Sequence, residues 1–284
     1  MKYYGIQNEV KSYINRLQSE QGITVSSSVI KTINDRVEAL KKSGDWSRFS
    51  LGFNDVDGDA YLTRAGVTDP VGRCEVLWFT RGMKALDLWN NMVCWPMRNY
   101  QNIGTGSTVY SLGGRGIFNG TAANSPTWGV DGFNFFNVSQ YISTAATSNQ
   151  PMCIFSVHRV NNNTSASRLL DSAAGQLLYV DANTLLLGAA SASLGTVGNI
   201  SLSSWFTSQV EFNGASGNAS LNGVAKTTRN FGTTNLSTGL RIGSLSVVQF
   251  GRECSFTLLL RDKSSVSLLH TLYKNTLGNG LGLP

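Results

Sequence analysis

Apolar positions recur at helical spacing near the start of the chain and at strand spacing over its second half. Val10, Tyr13, Ile14 and Leu17 stand three and four residues apart, which places them on one face of a helix. The segment QGIT interrupts that run, and Ser26, Ser27 and Ser28 then offer an N-cap. Val29, Ile33, Val37 and Leu40 mark one face of a second helix, ended by Gly44 just after Lys41 and Lys42. Residues 1–45 therefore read as a helical hairpin that docks on a partner or packs on the rest of the chain. A DNA-reading helix-turn-helix is disfavoured, because the second helix alternates its charges.

Residues 46–125 show no clean period. Trp46, Phe49, Leu51, Phe53, Tyr61, Leu62, Leu77, Trp78, Phe79, Leu86, Leu88, Trp89 and Trp95 stand among turn formers. The reading is an irregular connecting and docking region with short strands or turns and one helical turn near Leu86. The glycine-rich stretch from Asn102 to Gly120 demands loops.

After Pro126 the pattern becomes alternation. WGVDGFNFFNVSQYIS, PMCIFSVHRV, RLLD, QLLYVD, NTLLLGA, WFTSQVEFNG, NASLNGVAKTT, LRIGS and SFTLLLRD are short β-prone runs separated by Asn, Gly, Ser and Asp. One face carries Cys153, Phe155 and Val157, and another run places Val210 and Phe212 together. Asn222-Gly223 is a hairpin signal. KSSVSLLHTLYKN offers serine N-caps, Leu268, Leu269, Leu272 and Tyr273 on one side, and Lys274 in the last turn, so the chain closes on a short helix. The fold class is mainly β: residues 126–284 form a two-sheet antiparallel sandwich with a closing helix.

Composition sharpens this picture. Only 14% of the 284 residues are charged, with 30 Gly and 5 Pro, which excludes coiled coil, helical repeat and polyelectrolyte disorder. The formal charge of +6 is diffuse, with 14 basic and 11 acidic residues up to position 125 and 9 and 6 after it. No basic face is concentrated enough to expect nucleic acid as a partner. No apolar run reaches the length of a membrane span, and none follows the first lysine as in an export signal. Cys74, Cys94, Cys153 and Cys254 are widely separated and read as buried apolar residues rather than disulfides or zinc ligands.

Candidate chemistry is sparse. Asp55, Asp57 and Asp59 in NDVDGDAY superficially look like a calcium loop, but Gly58 and Gly66 stand where the EF-hand spacing forbids them, so a surface turn is expected. His158 and His270 lack an evident carboxylate partner for a Ser/His/Asp arrangement. The acids after Pro126 are Asp131, Asp171, Asp181, Glu211, Glu253 and Asp262, and no two lie within eight residues, which argues against a local pair for glycoside hydrolysis. Leu112–Gly116 lacks the GK[ST] ending of a phosphate loop and reads as a turn. Trp128, Phe133, Phe135, Phe136, Tyr141 and Trp205 can stack on sugars or fill a core.

TWGVDGFNFF, SWFTSQVEFNG followed by LNGVAKTT, LRIGS, and the closing SFTLLLRDKSSVSLLHTLYKNTLG come in an order that resembles the concanavalin A-like, laminin-G-like jelly-roll domains of many bacteriophage virion proteins. WPMRNYQNIGTGSTVYSLGGRGIFNGTAANSPTW resembles the lead-in of phage structural proteins, and YINRLQSEQGITVSSSVIKTINDRVEALKKSGDW their N-terminal helical segment. The resemblance implies a non-enzymatic virion component of tail or head exterior, assembled in the host cytoplasm, with other virion proteins and identical subunits as partners and no cofactor. Its alternative is a carbohydrate- or host-receptor-binding module of a tail fibre or adhesin, with a host-surface glycan as partner. Relatives of this sandwich can hold calcium through loop carboxylates, for which only Asp171 and Asp181 offer themselves. No catalytic, metal or carbohydrate-binding residue is assigned.

Overall fold

The computed structural model describes residues 7–136, 139–161, 167–172, 175–181, 184–189, 192–230, 235–243, 252–262 and 268–284. Two amphipathic helices open the chain, α1 (Asn8–Gln21) and α2 (Ser27–Lys42). Each buries the stripe its spacing predicts: Val10, Tyr13, Ile14 and Leu17 on α1, and Ile33, Val37 and Leu40 on α2. Gly22 closes α1 with φ 65, and the Ser26 side chain accepts from Val29 N to start α2.

The stretch read as irregular is richer than its pattern. It holds α3 (Asp45–Arg48), α4 (Val56–Arg64) and α5 (Pro70–Ala85). Asp69 caps α5 by accepting from Gly72 N at 2.6 Å, and Pro70 occupies the first turn, where a missing N–H costs nothing. The residues from Gly72 to Thr80 are all buried, and water reaches α5 at Arg81, Lys84 and Ala85. The helical turn expected near Leu86 is the C-cap of this long helix.

The strands are β1 (Met92–Pro96), β2 (Thr108–Val109), β3 (Gly120–Ala123), β4 (Thr127–Trp128), β5 (Phe133–Phe135), β6 (Tyr141–Ser143), β7 (Met152–Val160), β8 (Ser167–Ser172), β9 (Gly175–Asp181), β10 (Thr184–Ala189), β11 (Ala192–Asn199), β12 (Trp205–Phe212), β13 (Gly217–Leu221), β14 (Val224–Arg229), β15 (Arg241–Gly243) and β16 (Arg252–Arg261). One antiparallel sheet runs β14-β13-β12-β7-β16-β5-β4, with β1 also beside β16. The other runs β11-β10-β9-β8-β15-β6-β3-β2. β1, β2 and β3 precede residue 126 and are members of these sheets.

β16 shows how the first sheet divides. A register shift between Cys254 and Phe256 leaves Ser255 as an extra residue. Cys254 therefore faces the space between the sheets, while Phe256, Leu258 and Leu260 face the helices. The half before the shift pairs with β5, and the half after it pairs with β1. Strand β7 is buried on both faces in the same way: Cys153, Phe155 and Val157 meet the helices, and Met152, Ile154 and Val160 meet the other sheet. The molecule thus has three layers, helices on a sheet on a sheet.

The closing helix is α6 (Leu269–Asn275). Leu269, Leu272 and Tyr273 are buried as expected, but Leu268 is the exposed N-cap with φ 65. The serines proposed as its caps lie outside the described residues. The Asn222-Gly223 hairpin forms between β13 and β14, with φ 53 and 74.

Candidate functional site

The helical layer covers β1, β7 and β16 and stops at β12: among the described residues, no side chain of β13 or β14 enters the core on the helix side. Strand alternation sends Phe206, Val210 and Phe212 of β12 into the inter-sheet core and Thr207, Gln209 and Glu211 to the opposite face. On β13 Ala219 and Leu221 point inward, leaving Asn218 and Ser220 beside them on the open face. The first turn of α6 forms a wall. The result is an open groove of about 540 Å³, lined by Gln209, Glu211, Asn218, Ser220 and Asn222 on the sheet and by Leu268 and His270 on the wall.

The polar side chains are already ordered against one another. Gln209 Nε2 donates to Glu211 Oε1 at 2.7 Å, and Asn218 Nδ2 to Glu211 Oε2 at 3.5 Å. Thr228 Oγ1 donates to Asn218 Oδ1 at 3.0 Å, so the network crosses three strands. Glu211 is only 7% exposed and accepts from both amides. At the wall, Thr207 Oγ1 lies 2.8 Å from His270 Nδ1, and His270 Nε2 lies 3.1 Å from the Pro284 main-chain oxygen. That oxygen only accepts, so the proton sits on Nε2 and the Thr207 hydroxyl donates to Nδ1. Burial lowers the His270 pKa, which keeps the ring neutral. A Cβ at Gly223 would press on the His270 ring, so the glycine of the hairpin also lets the turn tuck beneath α6.

The other sequence candidates fall elsewhere. Asp55 is the N-cap of α4, not a surface turn: its carboxylate accepts from Asp57 N and Gly58 N and receives Lys84 at 2.8 Å. Lys84 also pairs with Asp57, and Asp59 pairs with Arg16, so the three acids are used in helix capping and ion pairs. Asp131 pairs with Arg98 and Glu253 with Arg159. Asp171 is buried against Arg168 and Ser172 N, while Asp181 is exposed at the far end of β9. With Asp171 opposite Gln176, about 17 Å of strand separates the two acids, so no calcium site joins them. Among the described residues no three His, Cys, Asp or Glu groups converge as metal ligands.

His158 lies between the sheets, 4.0 Å from Cys254 Sγ, and burial pushes its pKa down to about 3. Phe133, Phe135 and Trp205 are core residues, Trp128 packs on Phe133, and Phe136 is exposed. None of the named aromatics lines the groove. Gln209 and Asn218 were missed as site residues. Their signal is the polar half of the alternation in SQVEF and GNASL, which says outward but not what remains uncovered.

No family model matches the sequence, and no curated protein matches it. Solved structures do share its fold. Trypanosoma rangeli sialidase in complex with 2,3-difluoro-KDN matches at TM-score 0.52 and 10% identity, over 68% of this chain and 33% of that one. The same sialidase in complex with sialic acid matches at TM-score 0.51 and 12% identity, over 68% and 34%. A mutant of it displaying trans-sialidase activity matches at 0.53 and 11% identity, over 89% and 40%. The chain thus spans about a third of the length of these sialidases. The expectation of a non-enzymatic protein is contradicted by this likeness, because the sialidase whose fold it shares is an enzyme.

Proposed function

We propose that the chain is a carbohydrate-binding module on a concanavalin A-like sandwich, with the groove over β12, β13 and α6 as its saccharide site. The observation that carries this reading is the cross-strand network of Gln209, Glu211 and Asn218 on a part of the first sheet that the helices leave open. Planar amides and carboxylates suit sugars because adjacent hydroxyls each donate and accept, and an ordered set of acceptors and donors can engage two at once. The network also fixes the side chains before a ligand arrives, so less rotamer entropy is lost on binding. Leu268 and Ala225 supply apolar surface for the C–H faces of a ring. The sialidases of like fold act on or bind sialic acid derivatives, which agrees with a saccharide ligand but rests on fold alone. Nothing in these likenesses bears on a virion location.

The test is a glycan array probed with the full chain, followed by calorimetry on the best ligand. Gln209→Ala combined with Asn218→Ala removes two neutral hydrogen-bond partners and is expected to weaken binding about tenfold or more. The change also takes two donors from the buried Glu211, so the thermal midpoint should fall, and affinity is compared at a temperature where the variant is folded. Unchanged affinity in the double variant, or no ligand on the array, would sink the reading.

A further inference from the structure

The glycine-rich segment Leu112–Gly116 does more than turn the chain. Leu112 bridges to Cys94 of β1, with N···O distances of 2.7 and 2.8 Å. A Cβ at Gly113, where φ is 149, would fall on the Met92 carbonyl, and one at Gly114 on the Trp89 carbonyl and ring. Only glycine lets the loop lie this close, and the close fit fixes where Arg115 emerges. Arg115 N donates to Met92 O at 3.2 Å, and its guanidinium crosses the Phe118 ring at 5.7 Å.

There Arg115 Nη2 donates to Thr147 O at 2.7 Å, while Nη1 is buried with no hydrogen-bond partner among the described residues. Arg261, at the end of β16, faces the same space, and the acid it pairs with is its own neighbour Asp262, at 3.4 Å and 70% exposed. The two arginines share a groove of about 420 Å³ with Thr147, Ser148, Asn149 and Ser237, and Asp262 stands at its exposed rim. Its two loops are tied together by Ser148 N to Leu236 O at 3.1 Å and Leu236 N to Ser148 O at 2.8 Å. Burial and then the charge of Arg261 lower the Arg115 pKa, and Asp262 offsets part of that shift. An anion placed between them would satisfy Nη1, relieve the repulsion and find hydroxyl and amide donors at the rim.

We propose that this groove is an oxyanion site for the carboxylate of an acidic saccharide, separate from the groove over β12 and β13. Planar carboxylate geometry fits guanidinium donors, and the neutral polar rim suits the hydroxyls attached to it.

The experiment follows the arginine side-chain Nε–H signals of the ¹⁵N-labelled full chain at low salt. The probes are N-acetylneuraminic acid, its methyl ester and inorganic sulfate. The acid should shift the Arg115 and Arg261 signals with saturation in the millimolar range, while the uncharged ester should not, since a charge-assisted pair supplies the affinity. Arg115→Gln and Arg261→Gln should each weaken the acid about tenfold, with Arg261→Lys losing less, because one charged hydrogen bond carries about that much. The Gln209→Ala, Asn218→Ala double variant should titrate as the parent does, which keeps this site distinct from the first. Thermal midpoints show whether each variant is folded. Binding of sulfate without the sugar acid, equal binding of acid and ester, or an unchanged titration in a folded Arg115→Gln variant overturns the proposal.

Discussion

At the scale of single residues, the interior holds polar groups whose protonation is set by burial. His158 on β7 and Arg252 on the neighbouring β16 both face the space between the sheets, with Cys254 beside the imidazole. Burial, then the Arg252 charge, drives the His158 pKa to about 3, while burial brings Arg252 down to about 9. An unfolded histidine titrates near its ordinary 6.5, so below that pH the unfolded chain binds a proton that the folded chain refuses. The stability that a neutral His158 contributes is complete above pH 6.5 and is lost as the pH falls toward 3. Between pH 6.5 and 5, where carboxylates still bear their charge, the unfolding free energy should fall by about 1 kcal/mol per pH unit. His158→Leu should flatten that slope in urea titrations, leaving the smaller share of His270, whose pKa burial also lowers. An equally steep slope in the variant would contradict this account. The sequence shows His158 on a strand but not its depth, because depth depends on the helical layer and second sheet around β7.

At the scale of elements, what is legible depends on having one wet face. α1 and α2 each present a polar side, so their apolar stripes read directly from spacing. α5 buries the polar Arg73, Glu75 and Thr80 among its apolar residues, which blurs its stripe, although Asp69-Pro70 marks its start. The groove inherits its shape from α5, because α6 rests on it. A Cβ at Gly82 would fall on Leu272 of α6, so the two helices meet at backbone distance. Gly82→Ala should force α6 outward and destabilise the chain by about 1–3 kcal/mol, the usual effect of overpacking. Since Leu268 and His270 ride on α6, the same change should weaken saccharide binding in calorimetry. Adding Leu272→Ala makes room for the new methyl, so the double variant should recover part of the affinity while staying less stable. Loss of stability with full affinity in Gly82→Ala would show that α6 does not shape the site. This link between a buried crossing and a surface groove has no local sign in the sequence.

At the scale of the whole molecule, the alternation after Pro126 announces a sandwich, and two antiparallel sheets are there. What alternation cannot tell is that one sheet is covered on both sides. Cys153, Phe155 and Val157 read as the core face of β7, yet the opposite face is buried as well, because residues 7–91 lay a second core on it. The layers are joined by more than apolar contact. The buried Glu75 of α5 accepts from Arg36 of α2 and from Gln101, both at 2.5 Å, and Gln101 also donates to Leu277 O after α6. A fragment of residues 126–284 would lack β1, which pairs with Phe256–Leu260, and β3, which pairs with β6. It would also expose Phe155, Val157, Phe256, Leu258 and Leu260, each contributing about 2 kcal/mol when buried. That loss is comparable to the whole net stability of an ordinary domain, so the fragment should aggregate or bind the dye ANS without a cooperative transition, whereas the full chain should unfold in one step. A sharp thermal transition and dispersed amide spectrum for the fragment would refute this. Saccharide binding must then be sought with the full chain, since the wall of the groove stands on a helix that the fragment leaves unsupported.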